Sequence, residues 1–331
     1  MNKVRVAVIG AGAFGRNHAR VIRQIEDVEL SAVVDIDIEK ARDVAREYGS
    51  RAFPRVNDVS GPVDAAILAT PTVTHEPVAT YLLETGIDVL IEKPIAESSL
   101  AGDRLAHLAQ EHGRILQVGH LERFNPAVIA LRRVLTIPLF FEIHRLSIFT
   151  PRSLDIDVIL DLMIHDLDIV LSFTQELPDD IHAAGISVLS PRVDIANVRL
   201  SFPSGCIANL TASRVSTEKI RKLRLFQPGE YISLDYQRQD AIRLAVGKNE
   251  PETGKEGFVP QIGFEPLPVE RGEPLKLELE AFFDAVRQRG KPSVDGFEAS
   301  KALRVAEAIL GKIKEHGNLV AETVRQYGRR S

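Results

Sequence analysis

Tryptophan is absent from this 331-residue chain, cysteine occurs once, and aromatic residues make up only 6%. A lone Cys206 cannot form an internal disulfide, and with no Cys/His cluster beside it no metal site is indicated. That excludes a disulfide-stapled secreted scaffold and makes a reducing cytoplasm the natural setting. Cys206 itself reads as a small apolar residue in a strand rather than a nucleophile. Long hydrophobic runs are missing too: the run from Val4 to Gly10 is broken by Arg5, too short for a signal-peptide core and far below the ~20 residues of a membrane span. Neither sign of charge dominates, since 41 Lys and Arg face 46 Asp and Glu for a formal charge of −5. There is no broad basic field for a phosphate backbone, so nucleic acid is not an expected partner. What is present is a 44% apolar composition, ordinary for a soluble globular protein. At roughly 100 to 200 residues per domain, the length suggests about two domains.

The first part of the chain alternates short β-branched runs with longer segments of helical period. Val4 to Gly10, Leu30 to Asp35, Ala65 to Ala69, Asp88 to Ile91 and Ile115 to Gly119 read as buried strands. Helical patterns lie between them at Phe14 to Ile25, Ile38 to Tyr48, Val73 to Thr85 and Glu97 to His112. Near-continuous apolar strands separated by amphipathic helices predict a parallel sheet covered on both faces, a doubly wound α/β domain. After Asn125-Pro126 the pattern changes to longer alternating segments, at Leu139 to Ile148, Ile181 to Leu189, Ile195 to Phe202, Cys206 to Val215, Leu223 to Phe226 and Glu230 to Tyr236. Pro203-Ser204-Gly205 and Pro228-Gly229 join neighbours directly, as antiparallel strands are joined, so this half is predicted to be α+β with a mostly antiparallel sheet. Gly247 to Pro274 reads as a long loop, followed by helices at Leu277 to Gln288 and Phe297 to Glu315.

Gly10, Gly12 and Gly15 form a GxGxxG turn directly after the first strand, with Ala13 and Phe14 opening a helix. The first Gly serves the tight turn, the second lets backbone amides approach a pyrophosphate, and the third lets helix and strand pack closely. The helix N-terminus offers its N–H groups and partial positive charge to phosphates. Asp35 ends the second strand 20 residues after Gly15, where a carboxylate can accept hydrogen bonds from an adenosine ribose. It would repel a 2′-phosphate, which favours NAD over NADP, although Arg16 or Lys40 could oppose that preference. Asp37 reads as the cap of the following helix.

Glu92-Lys93-Pro94 follows the fifth strand at the carboxyl edge, where open α/β sheets place ligands. A partly desolvated Lys93 near a positive nicotinamide would have its pKa lowered toward an acid/base range; the alternative is a surface lysine at a strand end. A second constellation is the apolar helical stretch carrying Asp157, Asp161, His165 and Asp168. At ~100° per residue these fall within roughly 80° of arc, with Asp166 on the opposite side. Asp161 can then orient the imidazole of His165 or raise its pKa. The alternative is a solvated stripe, but the other faces are nearly all Ile, Leu, Val and Met. His18, His107, His112 and His182 have no comparable partner nearby in sequence and read as surface or structural groups. No Ser/His/Asp triad and no HExxH or CxxC spacing occurs, so the remaining chemistry is redox through a cofactor.

Taken together, the glycine turn, Thr70-Pro71-Thr72 with His75, Glu92-Lys93-Pro94 and the D-x-x-x-H spacing of Asp161 and His165 resemble the Gfo/Idh/MocA oxidoreductases over nearly the whole chain. The resemblance implies an NAD-binding Rossmann domain over residues 1–121 and an α+β substrate-binding domain over 122–331, whose open sheet builds a homo-dimer or homo-tetramer interface. It implies cofactor contacts from Gly10, Gly12, Ala13, Phe14, Gly15, Asp35, Thr70, Pro71, Thr72, His75, Glu92, Lys93 and His120. Lys93, Asp161 and His165 become the catalytic residues, with His165 as general acid/base, Lys93 polarising the reacting oxygen and Asp161 holding substrate or imidazole. Many members carry a Gly between this Asp and His, whereas Leu162, Met163 and Ile164 stand here. The segment from Gly119 to Pro126, with Arg123 and Asn125 as substrate contacts, looks like the version found in nucleotide-sugar 3-dehydrogenases. The implied reaction is NAD-dependent oxidation of a secondary sugar hydroxyl to a ketone, at C3 of a UDP-N-acetylhexosamine. Arg123, Arg145, Arg152 or Arg214, otherwise ordinary surface residues, could neutralise a UDP pyrophosphate. The alternatives are a free sugar or cyclitol such as myo-inositol, and a non-catalytic NAD-binding sensor or scaffold that would have no use for Lys93, Asp161 and His165 together.

Overall fold

The computed structural model describes residues 3–59, 61–150, 156–246 and 262–328. The chain opens with β1 (Val4–Ile9), α1 (Ala13–Ile22), β2 (Val28–Val34), α2 (Ile38–Tyr48) and β3 (Arg51–Phe53). It continues with β4 (Ala65–Leu68), α3 (His75–Glu84), β5 (Asp88–Glu92), α4 (Ser99–Glu111) and β6 (Leu116–Gly119). All six strands are parallel, in the order β3-β2-β1-β4-β5-β6. Every residue of β4 is fully buried, because helices cover both faces of the sheet and each side chain needs an apolar contact whichever way it points. The strand order reverses between β1 and β4, and their carboxyl ends form the crevice in which such sheets bind dinucleotides. β3, three residues long, carries too little pattern to be read from sequence.

The second sheet follows α5 (Pro126–Val134) and comprises β7 (Phe140–Ile148), β8 (Asp180–Ile186), β9 (Ile195–Ser201), β10 (Ile207–Ser216), β11 (Ile220–Gln227), β12 (Glu230–Asp235), β13 (Asp240–Val246) and β14 (Ile262–Pro266), with α6 (Ile164–Thr174) between β7 and β8. Its order is β14-β13-β12-β11-β7-β10-β9-β8, antiparallel except where β7 meets β10. Alternation sorts the two faces: Phe141, Ile143, Val198, Leu200, Leu210, Leu223, Leu225, Ile232 and Leu234 are buried, and their strand neighbours are not. The α/β half and the mostly antiparallel half both follow the expected fold class. The expected loop from Gly247 to Pro274 instead contains β14, paired with β13; Gly263, Glu265 and Pro266 within that strand leave it no apolar pattern to read, and residues 247–261 lie outside those described.

The chain divides into two compact units, one holding the chain up to Phe124 with Gly272–Arg304, the other Asn125–Arg271 with the chain from Val305. α7 (Pro274–Gln288) and the first part of α8 (Gly296–Gly328) thus belong with the dinucleotide sheet rather than with the second sheet. The reason is packing: Leu275, Leu279, Phe282, Phe283 and Val286 of α7 share one apolar core with Val6, Val8, Ile22 and Leu30. No described helix is long and apolar enough to cross a membrane.

Candidate active site

Each glycine of the turn after β1 has a distinct environment. Gly10 has φ +96°, and a Cβ there would lie 2.4 Å from the Ala69 carbonyl oxygen, so only Gly fits between β1 and the chain leaving β4. A Cβ on Gly15 would meet the Gly10 carbonyl oxygen at 1.7 Å. Gly12 caps α1, and a Cβ there would meet nothing within 4 Å; α1 has no acidic residue in its first turn. An open helix N-terminus approached by bare backbone suits a pyrophosphate, so these residues fit NAD. Asp35 accepts from the Ala11 amide at 2.7 Å through Oδ2 and from the Asp37 amide at 2.9 Å through Oδ1. Those bonds fix the carboxylate beside the turn and leave acceptor sites for a ribose. Arg16 is ion-paired with Glu47, and Lys40 lies 3.4 Å from Asp37, so both cations that could have drawn a 2′-phosphate face a carboxylate already. Asp37 caps α2, and the amide of Lys40, foremost among its hydrogen bonds, holds its carboxyl below the usual range.

Thr70, Pro71 and Thr72 lead from β4 toward α3, and the Thr74 hydroxyl donates to Thr70 Oγ1 at 2.7 Å and to the Pro71 carbonyl at 2.8 Å. His75 is 1% exposed, with Nδ1 2.9 Å from the Pro94 carbonyl and Nε2 2.9 Å from that of Thr70. Burial lowers its pKa against the pull of those carbonyls, and its ring links the loop after β4 to the loop after β5.

Glu92 ends β5, and partly exposed Lys93 follows, joined to Pro94 by a cis peptide bond. Glu92 Oε1 lies 2.7 Å from Nε2 of His18, whose side chain is 1% exposed. Burial alone would raise the Glu92 pKa; the His18 hydrogen bond, the His18 and Lys93 charges and the Lys93 amide outweigh it and hold the carboxyl below its usual range. Of the two readings of His18, surface or structural, the structure shows the structural one, with a partner distant in sequence. The signal was still local: Gly15, His18, Ala19 and Ile22 form the buried face of α1, and an imidazole on an apolar face needs a polar contact.

The segment after β6 turns inward. His120 is 1% exposed, and Asn125 is 3% exposed, its Oδ1 accepting from the Ala127 amide at 3.1 Å to cap α5 while Nδ2 donates to the Tyr236 carbonyl at 3.0 Å. Arg123 is nearly buried and pairs with Glu298 at 3.3 Å. Of the other arginines considered for a pyrophosphate, Arg145 is bound by Asp166 through two bonds of 2.7 Å and Arg214 pairs with buried Asp194 at 3.0 Å. They are not surface residues, because each neutralises a carboxylate that burial would otherwise make costly. Arg152 lies outside the described residues. Asp194 is held well below the usual range: burial opposes ionisation, but the Ser190 hydroxyl and the amides of Leu189, Val188 and Ser190 outweigh it. Burial pushes the Cys206 thiol up to about 11, which leaves it an inert apolar group.

The stretch carrying Asp161 and His165 begins as a π-helical turn over Ile159–Met163 and continues as α6. Between Val158 and Phe173 only Leu160, Asp161, Leu162 and His165 are not buried. The wider turn takes up more residues per revolution, bringing positions four apart closer to one line, and such turns recur at functional sites. Asp157 and Asp168 leave the expected stripe: the Asp157 carboxylate accepts from the Val193 amide at 2.9 Å, and Asp168 is 1% exposed. Asp161 and His165 remain as the ionisable pair at the helix's one opening.

A family profile described as "Oxidoreductase family, NAD-binding Rossmann fold" matches residues 4–120, and the "GFO/IDH/MocA C-terminal domain" matches residues 140–226. The UDP-N-acetylglucosamine 3-dehydrogenase of Acidithiobacillus ferrooxidans is 36% identical over 307 residues, 92% of this chain and 96% of that protein. A solved structure of that enzyme superposes with a TM-score of 0.87 at 34% identity, covering 95% of this chain and 99% of the other. The inositol 2-dehydrogenase of Rubrobacter xylanophilus is 27% identical over 229 residues, 65% of this chain and 66% of that protein. With both halves matched in order, and a relative aligned from near one end to near the other, the chain belongs to the NAD-binding Gfo/Idh/MocA oxidoreductases.

Proposed function

We propose that this protein is an NAD-dependent dehydrogenase that oxidises the C3 hydroxyl of a UDP-N-acetylhexosamine to a ketone. The observation that carries the reading is the near full-length similarity to a UDP-N-acetylglucosamine 3-dehydrogenase. The presence of Lys93, Asp161 and His165 in the motifs that carry the family resemblance supports it. NAD, when bound, accepts the hydride. Gly10, Gly12, Ala13, Phe14 and Gly15 would hold its pyrophosphate through backbone, Asp35 its adenosine ribose, and the Thr70 to Thr72 segment and His120 the remainder. Lys93 polarises the substrate oxygen, and His165 takes the hydroxyl proton as hydride leaves, so that no protonated ketone builds up. Such acid/base assistance is typically worth about 10² to 10⁴ in rate. Asp161 orients the imidazole or holds the sugar. The pairing of Arg123 and the capping role of Asn125 assign these two to shaping the loop rather than to direct charge contact with substrate.

The test is NADH fluorescence with UDP-N-acetylglucosamine, UDP-N-acetylgalactosamine, free N-acetylglucosamine and myo-inositol. The nucleotide sugars are expected to be turned over by wild type and lost in Lys93→Met and His165→Ala. Equal or better turnover of the free polyol would replace the substrate class. Intact activity in both variants would remove the catalytic assignment and favour an NAD-binding sensor.

The same proposal extends to assembly in the cytoplasm, without nucleic acid, as a dimer or tetramer through the open sheet face. Ile207, Phe140, Phe226, Tyr231, Leu244 and Phe264 stand in register across six adjacent strands on that face, forming one continuous apolar stripe. Phe264 is 70% exposed, and stripes of this kind on a sheet mark contact surfaces.

A further inference from the structure

We propose that His18 and Glu92 are positioning residues for Lys93: an imidazole on the helix whose first turn receives the dinucleotide clamps the carboxylate that holds the lysine. The inference rests on the reading of Lys93 as the group that polarises the substrate oxygen.

The Glu92 carboxylate is fixed from three directions. His18 approaches Oε1 from α1 at 2.7 Å. The Lys93 amide donates to the same carboxylate, and the Lys93 ammonium acts on it by charge. From β6 the backbone closes in, since a Cβ on Gly119 would come within 3.2 Å of Glu92 Oε2. A carboxylate so held has one orientation, and the lysine it bonds through the backbone inherits that orientation at the mouth of the sheet.

A second carboxyl group responds to that negative charge. Glu278, on α7, is completely buried, and neither carboxyl oxygen has a hydrogen-bond partner among the described residues. Burial first, and the charge of Glu92 second, push its pKa well above the ordinary range. Two carboxyl groups acting on one another in apolar surroundings do not both ionise. Glu92 has His18 and Lys93 to stabilise its anion, whereas Glu278 has neither, so Glu278 keeps its proton and Glu92 carries the charge. His75 also feels that charge, from the side of α3. An anionic Glu92 favours the ammonium form of Lys93 and restrains it; a neutral Glu92 would do neither. Because His18 sits on α1, the clamp also joins the phosphate-receiving turn to the lysine loop.

The experiment compares His18→Leu, His18→Gln, Glu92→Gln and Lys93→Met in the full chain, by kinetics with NAD and UDP-N-acetylglucosamine, thermal melting, and pH-dependent acetylation of Lys93 read by mass spectrometry. Misplacing a reacting group costs up to about a hundredfold in rate, so His18→Leu and Glu92→Gln are expected to lower kcat roughly tenfold to a hundredfold with little change in sugar KM. His18→Gln, which keeps an N–H for Glu92, should recover much of the loss. In Glu92→Gln the Lys93 labelling curve should move to lower pH by about one unit, because an adjacent anion has been removed. Folded variants with kcat and labelling curve like wild type would overturn the proposal. So would equal losses in His18→Leu and His18→Gln that track melting temperature, which mark a purely structural pin. If Lys93→Met keeps full activity, the catalytic reading of Lys93 falls; if it is inactive while the clamp variants behave as wild type, only the clamp falls. The labelling curve decides the clamp even if this sugar proves not to be the substrate.

Discussion

Gly12 and Gly15 stand three residues apart in one turn, yet replacing each by Ala tests different things. A methyl group on Gly15 cannot avoid the Gly10 carbonyl without moving backbone, so Gly15→Ala should destabilise the fold by about 1–3 kcal/mol. At Gly12 the methyl enters open space, and Gly12→Ala should stay within about 0.5 kcal/mol of wild type while weakening NAD binding. Urea melts and NAD titration by fluorescence check the pair. Glu278 yields a prediction of opposite sign. Its native pKa lies above the ordinary 4.5, so as pH rises past that value the unfolded chain releases a proton that the folded one retains. The Glu278 contribution to wild-type stability then falls with rising pH, at a limiting slope of about 1.4 kcal/mol per unit, until the native pKa is reached. Glu278→Gln removes this term, and its advantage over wild type should grow from pH 4.5 upward, as chemical denaturation across a pH series would show. At this scale the glycines, Asp35 and the His165 pair could be read from spacing alone, since one turn or one βαβ unit relates them. The His18–Glu92 contact, the confinement of Arg145 and Arg214 and the isolation of Glu278 could not, because each depends on a neighbour brought by the fold from far along the chain.

Among the elements, α2 is the one whose ends the sequence marks most clearly. Asp37 accepts from the amides of Glu39 and Lys40 at its start, and Gly49, with φ +69°, closes it in the left-handed region. Asp37→Ala removes the first of these and should cost about 0.5–2 kcal/mol, with Gly49 and the core untouched, a loss measurable by thermal melting. The element that carries His165 is the opposite case. No residue type announces the π-helical turn at Ile159–Met163, because it reflects how the segment, buried only at Ile159 and Met163, fits its surroundings rather than a local preference. The buried parallel strands were legible because burial on both faces demands uninterrupted apolar residues. β13 (Asp240–Val246) falls in a stretch to which the sequence reading assigned no element, because Asp240 and Arg243 interrupt its apolar alternation.

For the whole molecule, the apolar stripe across the second sheet sets an expectation about association. Phe226→Glu with Phe264→Glu places two charges on it while leaving the buried face alone. Sedimentation velocity should show wild type as a dimer or tetramer and the double variant as a smaller species with unchanged far-UV circular dichroism; a wild-type monomer would end the assembly proposal. Both fold classes were visible in the sequence, one from continuous and one from alternating apolar runs. The division of the chain was not, because membership of α7 in the first unit depends on which core its Leu279, Phe282 and Phe283 enter, and an amphipathic pattern does not name its partner.

That return of α7 matters while the protein is being made. The dinucleotide sheet is complete at Gly119, but six of the side chains that fill its core arrive only with Leu275, Leu279, Phe282, Phe283, Ala285 and Val286. At about 5–20 residues per second, a ribosome delivers them roughly ten to thirty seconds after the sheet has emerged. For that interval the nascent chain displays an apolar surface that its own C-terminal segment will later cover. Chaperone capture should therefore peak in mid-synthesis, and a gene fragment cut after the sixth strand should yield insoluble product.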